Sequence, residues 1–355
     1  SYLEETQNAD LSTLSHPTTL IESLEALLGS PNIASKRWVH EQYDTMVRTN
    51  TVQGPGAADA GIIRLKGSKK GLVAKTDCNG RYVYLNPRRG GQIAVAESAR
   101  NVVCSGAKPM AITNCLNYGN PYKPEVYWTF KESLAGMGDA CRKLNTPVTG
   151  GNVSFYNENP ESAIFPTPII GMLGVIEDVE KHKMSPSFKK EGDVILYVGA
   201  PRIGLGGTEY LKVVHGLITG DAPILDLDVE LKVQETVLEA ITSGLVTAAH
   251  DISDGGLAVS IAEMGIFGSL GAQIDLSVLS GSIHEIWFSE AQSGIVLTCK
   301  PDQKESLMKH VSQGGVDVAQ IGTVQGDALN FEGVGSVSLD QLHNIYESAI
   351  PKAMA

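Results

Sequence analysis

The five cysteines of this 355-residue chain form no CxxC pair and no evenly spaced set. Neither a disulfide framework nor a cysteine zinc site is therefore expected. Reduced, scattered cysteines are typical of the cytoplasm, which is the location that we predict. No apolar run approaches the roughly 18 residues that a membrane-spanning helix needs, so a membrane partner is not expected.

Positive charge is in short supply, with 28 Lys and Arg against 40 Asp and Glu, which leaves a formal net charge of −12. Such a field repels nucleic acid and anionic membranes, although a local basic pocket for a phosphate is compatible with it. We therefore expect a small-molecule ligand and no nucleic acid. Glycine is instead abundant: 38 residues exceed the roughly 25 expected from an average near 7%, and many stand as pairs beside Asp, Asn or Ser. This clustering predicts ligand-binding loops.

The length predicts two domains at about 150 residues each. Predicted strands and helices alternate along the chain, which indicates an α/β (α+β) fold, and a polar stretch near residue 179 separates the two parts. We expect a helical lead at 1–45, an amino-terminal domain at 46–178 and a carboxyl-terminal α/β domain at 179–355.

Local patterns add two expectations near the start of the chain. Residues 34–46 are predicted to form a helix. The runs GIIRL, GLVAK and RYVYL, at 61–65, 71–75 and 81–85, are rich in β-branched or aromatic residues and are bounded by turn signals. They predict three strands joined by tight turns.

The strongest local motif is HDISDGG, in which a predicted strand ends and a helix starts at Gly255 and Gly256. Backbone N–H groups at a helix start favour a phosphate. The carboxylates of Asp251 and Asp254 would then require Mg²⁺ between themselves and that anion. The alternative is that Ser253 or Asp254 simply caps the helix, and the motif alone favours neither reading.

Two other loops carry weaker signals for phosphate or metal. Lys75, Asp77 and Arg81 lie in KTDCNGR and could hold a nucleotide phosphate with Mg²⁺, whereas a hairpin with surface charges is the simpler reading. Gly206 and Gly207 lie in GLGGTEY, which resembles a glycine-rich phosphate loop without the GK[ST] ending of a P-loop.

Two polar segments follow predicted strands. Asn114 lies in AITNCLNYGNP, and TPVTGGNVS contains Gly151, Asn152 and Ser154. Ligands of α/β proteins bind at the carboxyl ends of strands, but Asn-Gly and Gly-Gly are also ordinary turn sequences. Position therefore supports a functional role only modestly.

Six segments, taken in order, resemble the carboxyl-terminal half of the phosphoribosylformylglycinamidine synthase family, ATP-dependent subunit of the small type. They are YDTMVRTNTVQGPG, KTDCNGRYVYLNPRRGG, AITNCLNYGNPYKPE, TGGNVSFYNE, GLGGTEYL and HDISDGGLAVSIAEM. The resemblance covers nearly the whole chain from about residue 43. It implies the two-domain fold of the aminoimidazole ribonucleotide synthetase-like superfamily, whose amino-terminal domain contributes strands to a β-barrel shared with a partner domain.

The family resemblance implies part of an ATP-dependent ligase of purine biosynthesis. Its reaction converts formylglycinamide ribonucleotide and glutamine-derived ammonia to formylglycinamidine ribonucleotide through an iminophosphate, with ATP and Mg²⁺. The chain would be the second half, supplying one wall of the ATP site and inactive alone, with the catalytic residues in a first half. The implied partners are that first half, a glutaminase subunit and a small adaptor subunit, and the isolated chain could also pair as a homodimer.

By motif, the resemblance implies that Asn114 and Gly151 contact ATP, Asn152 binds Mg²⁺ and Ser154 contacts the ribonucleotide. The family usually has Asp where Asn114 stands, so a negative charge is missing there. The segment WFSEAQSG, at 287–294, implies a non-catalytic pseudo-site that holds a structural nucleotide in some relatives. One alternative is a complete homodimeric enzyme of the aminoimidazole ribonucleotide synthetase type, but the Asp-rich amino-terminal metal loop of that type is missing before residue 43. The other alternative is a non-catalytic scaffold half.

Overall fold

The computed structural model describes residues 2–11, 14–56 and 58–355. A lead of three short helices comes first: α1 (Tyr2–Gln7), α2 (Leu20–Leu28) and α3 (Arg37–His40). A capping box formed by Thr19 and Glu22 starts α2. The buried leucines of α2 join the core of the carboxyl-terminal domain, so the lead packs on the domain farther along the chain.

The prediction of a helix over 34–46 is wrong beyond α3. Residues 36–49 are almost all exposed, so no apolar face stabilises a longer helix there. The Asp44 side chain instead accepts a hydrogen bond from the Met46 N–H, which is a turn contact.

The first sheet is open and has six strands in the order β1-β2-β3-β6-β4-β5. Its strands are β1 (Thr51–Gln53), β2 (Gly61–Arg64), β3 (Gly71–Asp77), β4 (Lys108–Asn117), β5 (Val148–Ser154) and β6 (Thr167–Ile176). Neighbours are antiparallel except for the parallel pair β4 and β5. The helices of this domain are α4 (Gly80–Leu85), α5 (Pro87–Cys104) and α6 (Pro124–Leu144).

One face of this sheet packs on α5 and α6, and its apolar side chains form a core with the two helices. Paired residues on neighbouring strands point to the same face. The opposite face keeps apolar side chains in solvent, with Ile63 and Leu173 about 40% exposed (42% and 41%). Strand β5 lies at the sheet edge and is exposed along almost its whole length.

The composition of the run at 81–85 predicted a strand. This prediction is wrong, because the run forms helix α4. Asn79 caps this helix through a hydrogen bond to the Arg81 N–H, and Asn86 then caps α5. Tyr82 and Leu85 are buried between the two domains. Tertiary burial has therefore overridden the β propensity of the segment.

The second sheet has seven strands in the order β13-β12-β9-β11-β7-β10-β8, all antiparallel except for the pair β9 and β12. The strands are β7 (Val194–Gly199), β8 (Ala248–Asp251), β9 (Ala272–Ile274), β10 (Gly294–Cys299), β11 (Val318–Val324), β12 (Ala328–Phe331) and β13 (Gly335–Ser338). The remaining helices are α7 (Val179–His182), α8 (Glu209–His215), α9 (Leu227–Thr242), α10 (Gly256–Gly268), α11 (Ile283–Phe288), α12 (Lys304–Gln313) and α13 (Leu339–Met354).

Helix α5 connects the two domains. Its middle packs on the first sheet, whereas Val103 and Cys104 at its end belong to the core under the second sheet. The expected two-domain α/β fold is thus confirmed, with the two sheets held together across one buried helix. Across the described ranges, no helix has the combination of length and apolar composition required to cross a bilayer.

Candidate functional site

Two buried carboxylates, Glu97 and Asp251, and the half-buried Asp77 interact electrostatically where β3, α5 and the end of β8 come together. We call Asp77, Glu97 and Asp251 the acidic cluster. Burial raises the pKa of Asp77 to about 6, although Lys75 opposes the shift. Burial and the neighbouring carboxylates also raise the pKa values of Glu97 and Asp251. The three carboxylates therefore disfavour one another's charge, and Lys75 and Arg100 oppose this effect.

The acidic cluster contains oxygen atoms of the kind that a hard divalent cation prefers, although the described residues whose ligand atoms lie within 4.8 Å of one another are Asp59, His250 and Asp251. The Asp77 Oδ2 atom is buried and has no hydrogen-bond partner in the described part of the chain. The Asn101 side-chain NH₂ donates a hydrogen bond to Asp251 Oδ2 over 3.2 Å. The Asn101 side-chain oxygen is then a further potential metal ligand. Carboxylate and amide oxygens are the ligands that Mg²⁺ prefers.

Motif reading identified Asp77 and Asp251 but missed Glu97 and Asn101. These two residues are four apart on α5, so both lie on one face of the helix. Polar side chains buried in an otherwise apolar helix are the signal that could have revealed them.

A fully buried arginine stands beside the acidic cluster. Arg100 lies 3.7 Å from both Asp251 Oδ2 and Glu97 Oε2. Its Nη1 donates to both oxygens of Glu230, at 2.9 and 3.0 Å, and its Nη2 donates to Gln292 over 2.8 Å. The carboxyl-terminal domain thereby fixes the position of the arginine.

A second buried cluster surrounds Arg81, one of the predicted phosphate ligands. Its Nη1 lies 2.5 Å from Glu209 Oε2, and its Nε donates to the Gly207 carbonyl over 2.6 Å. Tyr82 donates to Glu290, and burial raises the pKa of Glu290 to about 8. Arg81 thus uses Nε and Nη1 within the protein, whereas its buried Nη2 has no hydrogen-bond partner in the described part of the chain.

The predicted glycine loops also make close contacts inside the fold. The Gly255 N–H donates to Glu290 over 2.7 Å, and the Gly256 N–H donates to the Ser253 carbonyl over 3.0 Å. Gly207 has a φ of 69°, and its N–H donates to Thr219.

Side chains at these loops would also collide with the backbone. A Cβ on Gly206 would lie 2.7 Å from the Asp221 carbonyl, and one on Gly256 would lie 2.7 Å from the Trp287 carbonyl. Asp254 accepts from Asn79 over 2.8 Å. These residues close the junction of the two domains, and phosphate binding by them stays a prediction.

His250 joins the two domains next to the acidic cluster. Its Nδ1 lies 2.6 Å from Asp59 Oδ1, and its Nε2 lies 3.0 Å from Glu263 Oε2. Although burial opposes it, these two carboxylates raise the pKa of His250 well above its usual value. Asp59, His250 and Asp251 also bring ligand atoms within 4.8 Å of one another. Because both ring nitrogens are engaged, the imidazolium itself is the cation that Asp59 contacts.

The residues at the ends of β4 and β5 divide between the two faces of the first sheet. Asn114 of β4 is paired with Gly151 of β5 and with Ile170 of β6, and Ile170 is also paired with Asp77 of β3. These residues therefore lie on the face of the sheet that the helices cover. Asn152 and Ser154 point to the opposite, uncovered face. The four predicted residues therefore occupy one strand pair but two surfaces.

The amide of Asn114 lies directly over Gly151. A Cβ at position 151 would be 2.0 Å from Asn114 Oδ1, so only glycine leaves room for this side chain. The pair forms a shallow polar surface at the sheet edge, where Gly151 is exposed.

A cleft of about 730 Å³ opens between the lead, residues 54–56 and 58–61, and β3. Lys75 and Asp59 line it next to the acidic cluster. Burial lowers the pKa of Lys75, but Asp77 and Asp251 more than offset this effect, so the ammonium group persists. The cleft thus presents a cation beside carboxylates, which is the arrangement that a metal–phosphate ligand requires.

Two family models match the chain. The model described as AIR synthase related protein, N-terminal domain, matches residues 57–176, and the model of the C-terminal domain matches residues 190–333. A phosphoribosylformylglycinamidine synthase subunit PurL from Salinibacter ruber is 52% identical over 367 residues, covering 100% of this chain and 48% of the relative. The corresponding subunit from Moorella thermoacetica is 48% identical, covering 100% of this chain and 49% of the relative.

Solved structures of Thermotoga maritima PurL share the fold. The complex with FGAR has a TM-score of 0.76 at 19% identity and covers 93% of this chain and 54% of its own. The complex with ATP has a TM-score of 0.72 at 20% identity, and the match covers 93% of this chain and 53% of the solved chain. The chain spans about half the length of the curated relatives that it matches.

Proposed function

The chain belongs to the AIR synthase related protein family, and on that premise we propose that it is the carboxyl-terminal half of a phosphoribosylformylglycinamidine synthase. The complete enzyme would use ATP to activate the amide oxygen of formylglycinamide ribonucleotide, and ammonia would then displace phosphate. The high identity to PurL subunits over the whole chain supports this proposal. We infer a cytoplasmic location because the cysteines are free.

The observation that carries the proposal is the acidic cluster beside the Lys75 cleft. Phosphoryl transfer depends on positioning and on neutralising phosphate charge more than on a protein nucleophile. Mg²⁺, when bound, would supply that neutralisation. Asp77, Glu97 and Asp251 would hold the cation, Arg100 would fix two of these carboxylates, and Lys75 would attract a phosphate.

The strand-end residues would form a second nucleotide-binding surface. In this proposal Asn114 and Gly151 contact ATP, Asn152 binds Mg²⁺ and Ser154 contacts the ribonucleotide. The exposed edge strand β5 makes these groups accessible to ligands shared with another domain. Asn114 would act as a neutral hydrogen-bonding group where the family usually has a carboxylate.

The uncovered sheet face would be completed by the first half of the same enzyme. Its exposed apolar side chains, including Ile63 and Leu173, suit burial against a second sheet. The length of the relatives supports such a first half. We propose a glutaminase subunit and a small adaptor subunit as further partners, and a homodimer as the state of the isolated chain.

A scaffold role is favoured for one part of the chain. Arg81 lies between Glu209 and Glu290 in the interior, and its Nη1 pairs with Glu209, whereas its buried Nη2 makes no hydrogen bond within the described residues; we infer that the junction that they form has a structural role. We infer that the pseudo-site implied by WFSEAQSG stabilises the enzyme and does not turn over substrate.

The proposal is tested by measuring ATP-dependent amidine formation with the isolated chain and with the complete subunit carrying both halves. We expect turnover only from the complete subunit supplied with ammonia. Asn152→Ala in the complete subunit should raise the Mg²⁺ concentration needed for half-maximal rate, whereas Asn330→Ala, on the remote strand β12, should leave it unchanged. Wild-type rates from the isolated chain, or no ATP-dependent amidine formation by the complete subunit, would reject the proposal.

A further inference from the structure

A tyrosine near the proposed substrate contact has a strained backbone. Tyr156 follows strand β5 and has a φ of 61°, in the left-handed region. Bulky side chains seldom adopt this conformation, which costs about 1–2 kcal/mol relative to the right-handed form. Glycine would adopt it without that cost. The backbone strain at position 156 therefore arises because the residue there carries a side chain.

The surrounding backbone enforces the strained conformation. The Tyr156 N–H donates to the Gly119 carbonyl over 3.1 Å, and the Asn157 N–H donates to the Tyr118 carbonyl over 3.1 Å. The Asn157 amide also donates to the carbonyls of Tyr118 and Ser154, at 3.1 and 2.9 Å. The turn after β5 is thus attached to the end of β4 on both sides of Tyr156.

The Tyr156 ring makes few stabilising contacts with the rest of the described chain. It is 58% exposed, and it makes no hydrogen bond or ring contact in the part of the chain that the structure describes. Tyr118 is different: it is 1% exposed, and its hydroxyl is hydrogen-bonded to Ser133. Packing therefore does not offset the strain at Tyr156, and strain of this kind is concentrated at ligand-binding sites.

Tyr156 is also close to the hydroxyl that would contact substrate. It lies two positions after Ser154, so the two Cα atoms are at most about 7 Å apart. The Asn157 amide, which helps to impose the turn, donates to Ser154 Oγ over 3.2 Å as well. One hydrogen-bonded turn therefore positions both the serine hydroxyl and the tyrosine ring.

We propose that Tyr156 is a substrate-binding residue that contacts the phosphorylated ribose of the ribonucleotide held at Ser154. This inference rests on the proposed function, because it takes Ser154 as a substrate contact. The ring offers an apolar face to the sugar, and the phenol hydroxyl donates to a ribose or phosphate oxygen. A tyrosine provides this contact area with only two side-chain torsions to immobilise.

Two substitutions in the complete subunit separate the ring from the backbone. Tyr156→Gly removes the side chain and relieves the strain, so we expect an unchanged or higher Tm together with a KM for formylglycinamide ribonucleotide raised at least about 10-fold. Tyr156→Phe keeps the ring and loses one hydrogen bond, for which a rise of about 3- to 10-fold is expected. The KM for ATP should stay constant, and Tyr122→Ala, at an 85% exposed tyrosine nearby, should change neither constant.

The outcomes distinguish this inference from the proposed function. An active wild-type subunit whose Tyr156→Gly variant keeps the wild-type KM would overturn the inference and leave the function standing. A lower Tm in that variant would show that the ring has a structural role, which would also overturn it. A wild-type subunit that neither binds the ribonucleotide in calorimetry nor turns it over would overturn both.

Discussion

Replacing Glu230 with alanine should strongly destabilise the protein, because this carboxylate is the main partner of a buried arginine. Both Glu230 and Arg100 have fully buried side chains. Glu230 accepts two hydrogen bonds from Arg100, and it also accepts from Gln234 over 2.7 Å and from Ser293 over 2.5 Å. Burial lowers the pKa of Arg100, but Glu230 and other carboxylates outweigh this effect, so the guanidinium stays charged.

Removing one member of a buried ion pair costs about 3–5 kcal/mol, because the remaining charge loses its hydrogen-bonded partner, and Asp251 and Glu97 at 3.7 Å compensate Arg100 only in part. At about 2 °C per kcal/mol for a chain of this length, the Tm of Glu230→Ala should fall by about 6–10 °C, measured by scanning calorimetry. The control is Glu239→Ala on the same helix, whose side chain is 73% exposed, and it should change stability by no more than about 0.5 kcal/mol.

A double substitution tests the reasoning itself. Arg100→Met with Glu230→Leu replaces both charges with apolar groups, and it should recover part of the stability that Glu230→Ala loses, since the change at Arg100 also removes a cation from Asp251 and Glu97. A fall of less than about 2 °C for the single variant, or a double variant that is as unstable as the single one, would refute the argument that an uncompensated charge sets the cost.

Two other perturbations test the strand-end site and the lead. Gly151→Ala places a Cβ 2.0 Å from Asn114 Oδ1 and 2.8 Å from the Asn114 carbonyl oxygen, and it should cost about 1–3 kcal/mol in chemical denaturation. Asn114→Ala removes only the side-chain clash and should restore part of that stability, and equal stability with and without the Asn114 change would contradict this steric explanation. Burial and then His16 lower the pKa values of His215 and His284, so the stability that these rings contribute is complete above about pH 6.5 and is lost as the pH falls through their folded-state pKa values. The protection factors of amide hydrogen exchange around His16, which stacks on His284, should therefore fall between pH 7.5 and 5.5 after correction for the intrinsic exchange rate, and they should fall less in His284→Asn. Protection factors that do not change with pH would disprove this prediction.

Short-range patterns predicted most of the architecture but failed where burial was decisive. Alternating strand and helix patterns identified two α/β domains, because each pattern depends only on neighbouring residues. The run at 81–85 has strand composition, yet it forms a helix because it packs in the junction between the domains. The 34–46 segment has helical spacing, yet only Arg37–His40 is helical, because the side chains from residue 36 onward are almost all exposed in the described structure.

The sequence by itself determined the family, the two-domain division of elements and the identity of the polar loops, since motif order and periodicity are properties of the linear chain. Only the tertiary structure decided which loops share an environment. Asn101 meets Asp251 across 150 positions of sequence, and Arg81 meets Glu209 across 128. Whether a carboxylate faces water, an arginine or another carboxylate depends on how the two sheets pack around α5, and that packing sets which groups remain available for a metal or a phosphate.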